Sequence, residues 1–212
     1  MDGTMVDNMM THHRVWQRKL AELGMDMHLE EVKEKVHGVN EEILERLFGD
    51  RFTPEDRKRI SKEKEATYRD VFLPELKLVD GLDRLLDEVQ DYDLTMGVGT
   101  AAPAENVDFV LDNLKLRHYF KSVVHAGLVT KGKPDPEVLE KAANGMGVAL
   151  EHCVVFEDSV TGAETAQRAG CPTFIITTTH APREFMRFSN VVAFYNDFTN
   201  ITVEKILGIA NL

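Results

Sequence analysis

Cys153-Val154-Val155-Phe156-Glu157-Asp158-Ser159-Val160-Thr161-Gly162-Ala163 is an apolar run that stops on two adjacent acids and restarts in small residues. A short apolar run bounded by polar residues predicts a buried strand, and the small residues that follow predict a helix able to lie close against it. The same strand-then-helix alternation extends in both directions. Helices are expected over 82–90, 103–114, 135–145 and 160–169, and strands over 94–98, 122–125, 153–156 and 173–177, with a last strand near 191–194. Repeated units of this kind imply an α/β fold with a Rossmann-like parallel sheet covered by helices on both faces. Open sheets of that type bind ligands where the strands end at their carboxyl termini.

Residues 9–79 follow a different period. Trp16, Leu20 and Leu23 fall on one helical face, and Ile43, Leu44, Leu47 and Phe48 on another, which predicts an inserted helical cap. Residues 1–8 and 80–212 then form the core. Thr53-Pro54-Glu55-Asp56 is a helix start, with Thr as cap, Pro at the first helical position and acids at the positive end of the dipole. The charged segment from there to Phe72 is expected to face solvent.

The strand ends carry the residues with chemistry. Glu157 and Asp158 offer hard oxygen donors of the kind that suit Mg²⁺. Lys133 lies in Thr130-Lys131-Gly132-Lys133-Pro134-Asp135-Pro136, where two prolines stiffen the backbone and Asp135 can cap the next helix, giving a fixed ammonium group. Lys131 is left to solvent. Thr100 follows Gly97-Val98-Gly99 and, with Ala101, can present a hydroxyl and backbone amides to an anion, although a lone Gly-x-Gly more often serves packing. Asp2-Gly3-Thr4 places an acid on a sharp turn.

Together these segments resemble the haloacid dehalogenase superfamily of phosphatases and phosphomutases, over essentially the whole chain. The resemblance implies Asp2 as general acid and base, with its main-chain carbonyl on the Mg²⁺ beside Glu157 and Asp158. It further implies Thr100 as the phosphate-binding hydroxyl and Lys133 as the cation that neutralises nucleophile and phosphate. His12 and Trp16 match the first cap helix of β-phosphoglucomutase and related sugar phosphatases, so His12 is a catalytic candidate; His13, His28, His118, His125, His152 and His180 have no supporting context. His37 and Lys64 are the cap's substrate-binding candidates. The superfamily's first motif is Asp-x-Asp-Gly-Thr. Met1 takes the x position, so the nucleophilic Asp has no candidate from residue 1 onward, nor does the central strand that should carry it between the strands ending near Thr100 and Asp158. Residues 1–212 alone are therefore expected to show negligible turnover and to have an incomplete or substituted sheet.

The substrate class implied is a small phosphorylated metabolite. Where phosphoglucomutases carry Lys before a cap Gly and Arg three residues after it, this chain has His37 and Glu41, and an acid there repels a second phosphate. Val98-Gly99-Thr100, Leu116 to Phe120 and Cys153 to Asp158 look like the fructose-1-phosphate phosphatase branch. A sugar-phosphate phosphatase working through an aspartyl-phosphate is the first reading, a β-phosphoglucomutase the second, and a truncated or non-catalytic phosphate binder the third.

Composition narrows the partners. A net charge of -11, with 36 acidic residues, argues against nucleic acid and against an anionic membrane surface. Two cysteines, Cys153 and Cys171, make no disulfide framework in 212 residues, and a cytoplasmic location with a monomer or weak dimer is expected.

Overall fold

The apolar runs read as strands pair in parallel throughout. The computed structural model describes residues 1–210, the last two as backbone only. Its contacts divide the chain into two units, Met1–Asp7 with Lys77–Leu212, and Asn8–Leu76.

In the first unit, β1 (Met96–Gly99) pairs with β2 (Phe120–Val124), Val98 standing opposite Val123. A second sheet has the order β3 (Val155–Glu157), β4 (Thr173–Ile176), β5 (Val191–Tyr195). Every residue of β4 is buried, as a continuous apolar run covered on both faces requires. Among the described residues no strand joins β1 to β3, so the parallel arrangement is present as two sheets.

The helices of this unit are α5 (Leu82–Asp91), α6 (Ala104–Asn113), α7 (Glu137–Met146), α8 (Val160–Ala169) and α9 (Val203–Ala210). Leu82, Leu86, Val98, Leu111, Phe174 and Phe198 meet in its core. Several boundaries differ from the sequence reading by a residue or two, and two of them have a local reason. Leu94 does not open β1, because Asp93 takes a left-handed φ of 55° and the Leu94 amide bonds back to Val89 at 3.1 Å to close α5. Asp135 does not lie inside α7; its carboxylate accepts from the Glu137 amide at 3.1 Å and so stands ahead of the first turn. Helix α9 was not anticipated at all.

Glycines set the approach of α7 to its sheet. A Cβ on Gly97 would stand 2.9 Å from Met146 Sδ, and one on Gly145 would stand 2.3 Å from Ser122 Oγ. Gly97 is thus a packing residue, the ordinary reading of Gly-x-Gly.

The second unit contains α1 (Met9–Glu22), α2 (Leu29–Lys35), α3 (Asn40–Phe48) and α4 (Pro54–Phe72), around Trp16, Leu20, Val32, Ile43, Leu44 and Ile60. Thr53 caps α4 by accepting from the Asp56 amide at 3.1 Å, with Pro54 in the first turn. The expectation that α4 faces solvent is corrected. Ile60, Lys64, Tyr68 and Phe72 recur every four residues and are all buried, because that spacing keeps them on one helical face whatever the charge of the rest. No helix among the described residues is long and apolar enough to cross a membrane.

Candidate active site

The acid pair that closes β3 is built around its own helix. Glu157 turns back so that Oε2 accepts from the amides of Asp158 and Ser159, both at 2.9 Å, and from Ser159 Oγ at 3.0 Å. Its Oε1 meets Lys133 Nζ at 2.5 Å. This fold-back needs Gly162, where a Cβ would fall within 1.9 to 2.3 Å of the carboxylate atoms. Ser159 in turn caps α8 by accepting from the Gly162 amide at 3.0 Å. Burial alone would push the Glu157 carboxyl up, but the Lys133 ammonium and the amide bonds override it and hold the group well below its ordinary range.

Asp158 faces the N-terminal turn. Its Oδ1 accepts from Thr4 Oγ1 at 2.9 Å across 154 residues of chain. Gly3 lies so close, with φ of 69°, that a Cβ would stand 2.0 Å from Asp158 Oδ2 and 2.8 Å from Thr179 Oγ1, so only glycine fits. Burial first, and the Glu157 charge second, push the Asp158 carboxyl up to about 6. The Thr4 hydroxyl and the terminal ammonium of the chain pull the other way and are outweighed. His180 Nδ1 lies 3.1 Å from the Asp158 carbonyl oxygen, and Thr178 Oγ1 donates to the Gly3 carbonyl. Both residues follow β4, the neighbouring strand. His180 was passed over in the sequence; its position directly after the strand-end run Thr177-Thr178-Thr179 was the available signal.

Thr100 is buried at the end of β1, where its amide donates to Val124 at 2.9 Å and its hydroxyl accepts from the Ala102 amide at 3.1 Å. That hydroxyl keeps its proton to donate. Ala101 beside it is exposed. The loop carrying Lys133 is stitched by Glu137, whose carboxylate accepts from the Thr130 and Lys131 amides. Lys131 is exposed and pairs with Asp135 at 3.6 Å. Asp2 is half-buried and bridges to Val6. Among the described residues, Asp2, Glu157 and Asp158 do not form a cluster of three side-chain metal ligands.

In the helical unit, Lys64 is 2% exposed, with Nζ 2.8 Å from His12 Nδ1 and 2.8 Å from Glu65 Oε1. It also lies over the Trp16 ring at 5.6 Å. His12 stacks on Tyr68 with centroids 3.8 Å apart, and Asn40 Nδ2 donates to Glu65 at 2.7 Å. Burial pushes the Glu65 carboxyl up, but Lys64 and His12 outweigh it and the group sits at about 2. Glu65 and Asn40 were missed because a charged helix reads as a solvated one. His37 is exposed, and its carbonyl accepts from Arg46 at 3.0 Å.

Comparison with known proteins agrees with this geometry. Residues 1–176 match the family model described as haloacid dehalogenase-like hydrolase. The chain is 30% identical to the fructose-1-phosphate phosphatase of Escherichia coli K12, over 80% of this chain and 89% of that protein. It is likewise 30% identical to the 6-phosphogluconate phosphatase of the same organism, over 82% and 78%. A crystal structure of a haloacid dehalogenase hydrolase of family IA, variant 3, from Entamoeba histolytica superposes with a TM-score of 0.90 at 25% identity, covering 100% of this chain and 97% of the other. The strand-end acids, the lysine that faces them and the threonine turn are thus set in the fold of relatives that carry out phosphoryl chemistry, and the chain belongs to the haloacid dehalogenase-like hydrolase family.

Proposed function

We propose that this chain carries the phosphate- and cation-binding body of a Mg²⁺-dependent sugar-phosphate phosphatase. The observation that carries the reading is the cluster at the end of β3, where Lys133 holds Glu157 at 2.5 Å and the adjacent Asp158 carboxylate is buried against the Gly3-Thr4 turn. Adjacent carboxylate oxygens at a strand end fit a hard divalent cation. Asp158 and the Asp2 carbonyl would hold it, with Glu157 and water beside them. When bound, the cation would neutralise charge on the transferring phosphoryl oxygens.

The chain's own residues supply the rest. Lys133 places an ammonium at the phosphate, worth most in a site that excludes water. Thr100 donates its hydroxyl to a phosphoryl oxygen. Asp2 protonates the leaving sugar oxygen and later takes a proton from the attacking water, an effect of roughly 10² to 10⁴ in rate. The resemblance puts the nucleophile, and hence the aspartyl-phosphate, on an aspartate two positions ahead of Asp2.

The names of the relatives support sugar monophosphates as substrates. Lys64 supports hydrolysis over mutase action, since its charge is matched internally by Glu65 at 2.8 Å, and a second phosphate needs an unmatched cation. The test is phosphate release from fructose 1-phosphate and 6-phosphogluconate by a chain preceded by an apolar strand that ends in Asp ahead of Met1. Release that requires Mg²⁺, needs no bisphosphate activator and drops at least a hundredfold in Asp2→Asn is expected. Interconversion of glucose 1-phosphate and glucose 6-phosphate faster than release, or no release at all, would overturn the reading.

A further inference from the structure

Cys153 and Cys171 stand at the starts of two neighbouring strands, at the end opposite the acid pair. Val155 of β3 pairs with Thr173 of β4, and its amide donates to the Pro172 carbonyl at 2.9 Å, so the pairing continues ahead of the first strand residue. The Cys153 backbone is already extended, with φ of -105° and ψ of 144°. Counting back two positions along each strand sets Cys153 opposite Cys171, with both side chains on one face of the sheet. Neighbouring strands lie about 5 Å apart, and a disulfide spans about 4.4 to 6.8 Å between Cα atoms. The thiols also converge on one turn. Cys153 Sγ lies 3.5 Å from the Ala149 carbonyl oxygen, and Cys171 Sγ lies 3.4 Å from the next one along the chain, that of Leu150. Both cysteines are free. Ordinary packing accounts for either one alone, but gives no reason for two thiols in register.

We propose that Cys153 and Cys171 are a reversible dithiol that a small-molecule disulfide oxidises to a bridge between the starts of β3 and β4. Cys153 is half-buried and Cys171 fully buried, so Cys153 meets the oxidant first. Its thiolate attacks one sulfur of the small disulfide, forming a mixed disulfide and expelling one thiolate. Cys171 then gives up its proton and attacks the Cys153 sulfur, expelling the second thiolate. Two protein thiols are thereby oxidised, and one small disulfide is reduced to two thiols. Burial pushes both protein thiols up, and with Cys153 adding to burial the Cys171 thiol reaches about 11, which suits Cys171 to the second step and not the first. The bridge closes a loop that contains Glu157, Asp158 and α8, so it ties β3, α8 and β4 together and stabilises the fold by restricting the unfolded chain. None of this rests on the phosphatase reading.

The test incubates residues 1–212 with oxidised glutathione at about pH 8.5, where an exposed thiol is partly ionised, and then reads intact mass and thermal midpoint. The chain is expected to lose the mass of two hydrogens, to yield on digestion a peptide joining Cys153 to Cys171, and to recover both thiols in dithiothreitol. Its midpoint is expected to rise by on the order of 5 °C. Cys153→Ser, which alters only the half-buried position, should lose no mass and keep Cys171 reduced. Cys171→Ala should instead hold one glutathione on Cys153. In the unaltered chain, two thiols that stay free, a glutathione held stably on either cysteine, or a bridge formed only between two chains would overturn the proposal. A bridge within the chain that leaves the midpoint unchanged or lowers it would also overturn it, because the two strands would then have to distort to meet.

Discussion

Gly162 has no side chain because the Glu157 carboxylate occupies that space, and the sequence shows half of this. The small residues after the strand announce a close helix; that an acid folds back into the gap is visible only in three dimensions. Gly162→Ala places a methyl within 2.3 Å of those oxygens, and overpacking of this kind costs about 1–3 kcal/mol. Chemical denaturation should show that loss, and a change below about 0.5 kcal/mol would mean that Glu157 has an alternative position. Lys133, Glu157 and Asp158 were legible because each sits in a short local pattern. The Thr4 to Asp158 bond was not, since it joins residues 154 apart and no local pattern encodes a partner at that distance.

Helix α4 shows where reading by charge fails. Its composition is that of a solvated helix, while its four-residue spacing of Ile60, Lys64, Tyr68 and Phe72 is that of a packed one, and the spacing wins because position on the helix decides burial. Lys64 and Glu65 then enter the interior as a neutral pair. Glu65 titrates at about 2 in the fold against an ordinary value of 4.5, and Lys64, His12 and Asn40 face it. A depressed folded value means that its stabilisation is complete above about pH 4.5 and is lost as pH falls toward 2, a difference on the order of 3 kcal/mol. Unfolding of the chain and of Glu65→Gln across that window should show the gap between them closing toward acid. A gap independent of pH would contradict the ion pair. The sheets were legible in another way: each strand showed as an apolar run, and the break in pairing between β1 and β3 falls where the family resemblance left a strand unaccounted for.

At the scale of the whole chain, the alternation of strand and helix was sufficient to imply the parallel α/β architecture, and the change of period after residue 9 was sufficient to set a helical segment apart. Helix α9 escaped because the alternation was followed only to the last strand, although Val203 and Ile206 are buried there. Fold and family leave the chemistry to the acids at the end of β3, where the proposed cation ligand Asp158 is buried beside Glu157. Titration calorimetry of Mg²⁺ into the chain and into Asp158→Asn, each with inorganic phosphate present, tests that claim directly. The substitution keeps the shape of the side chain and removes its charge, so Mg²⁺ affinity should fall at least tenfold, about 1.4 kcal/mol; equal affinity in the two proteins would contradict a cation site at Asp158.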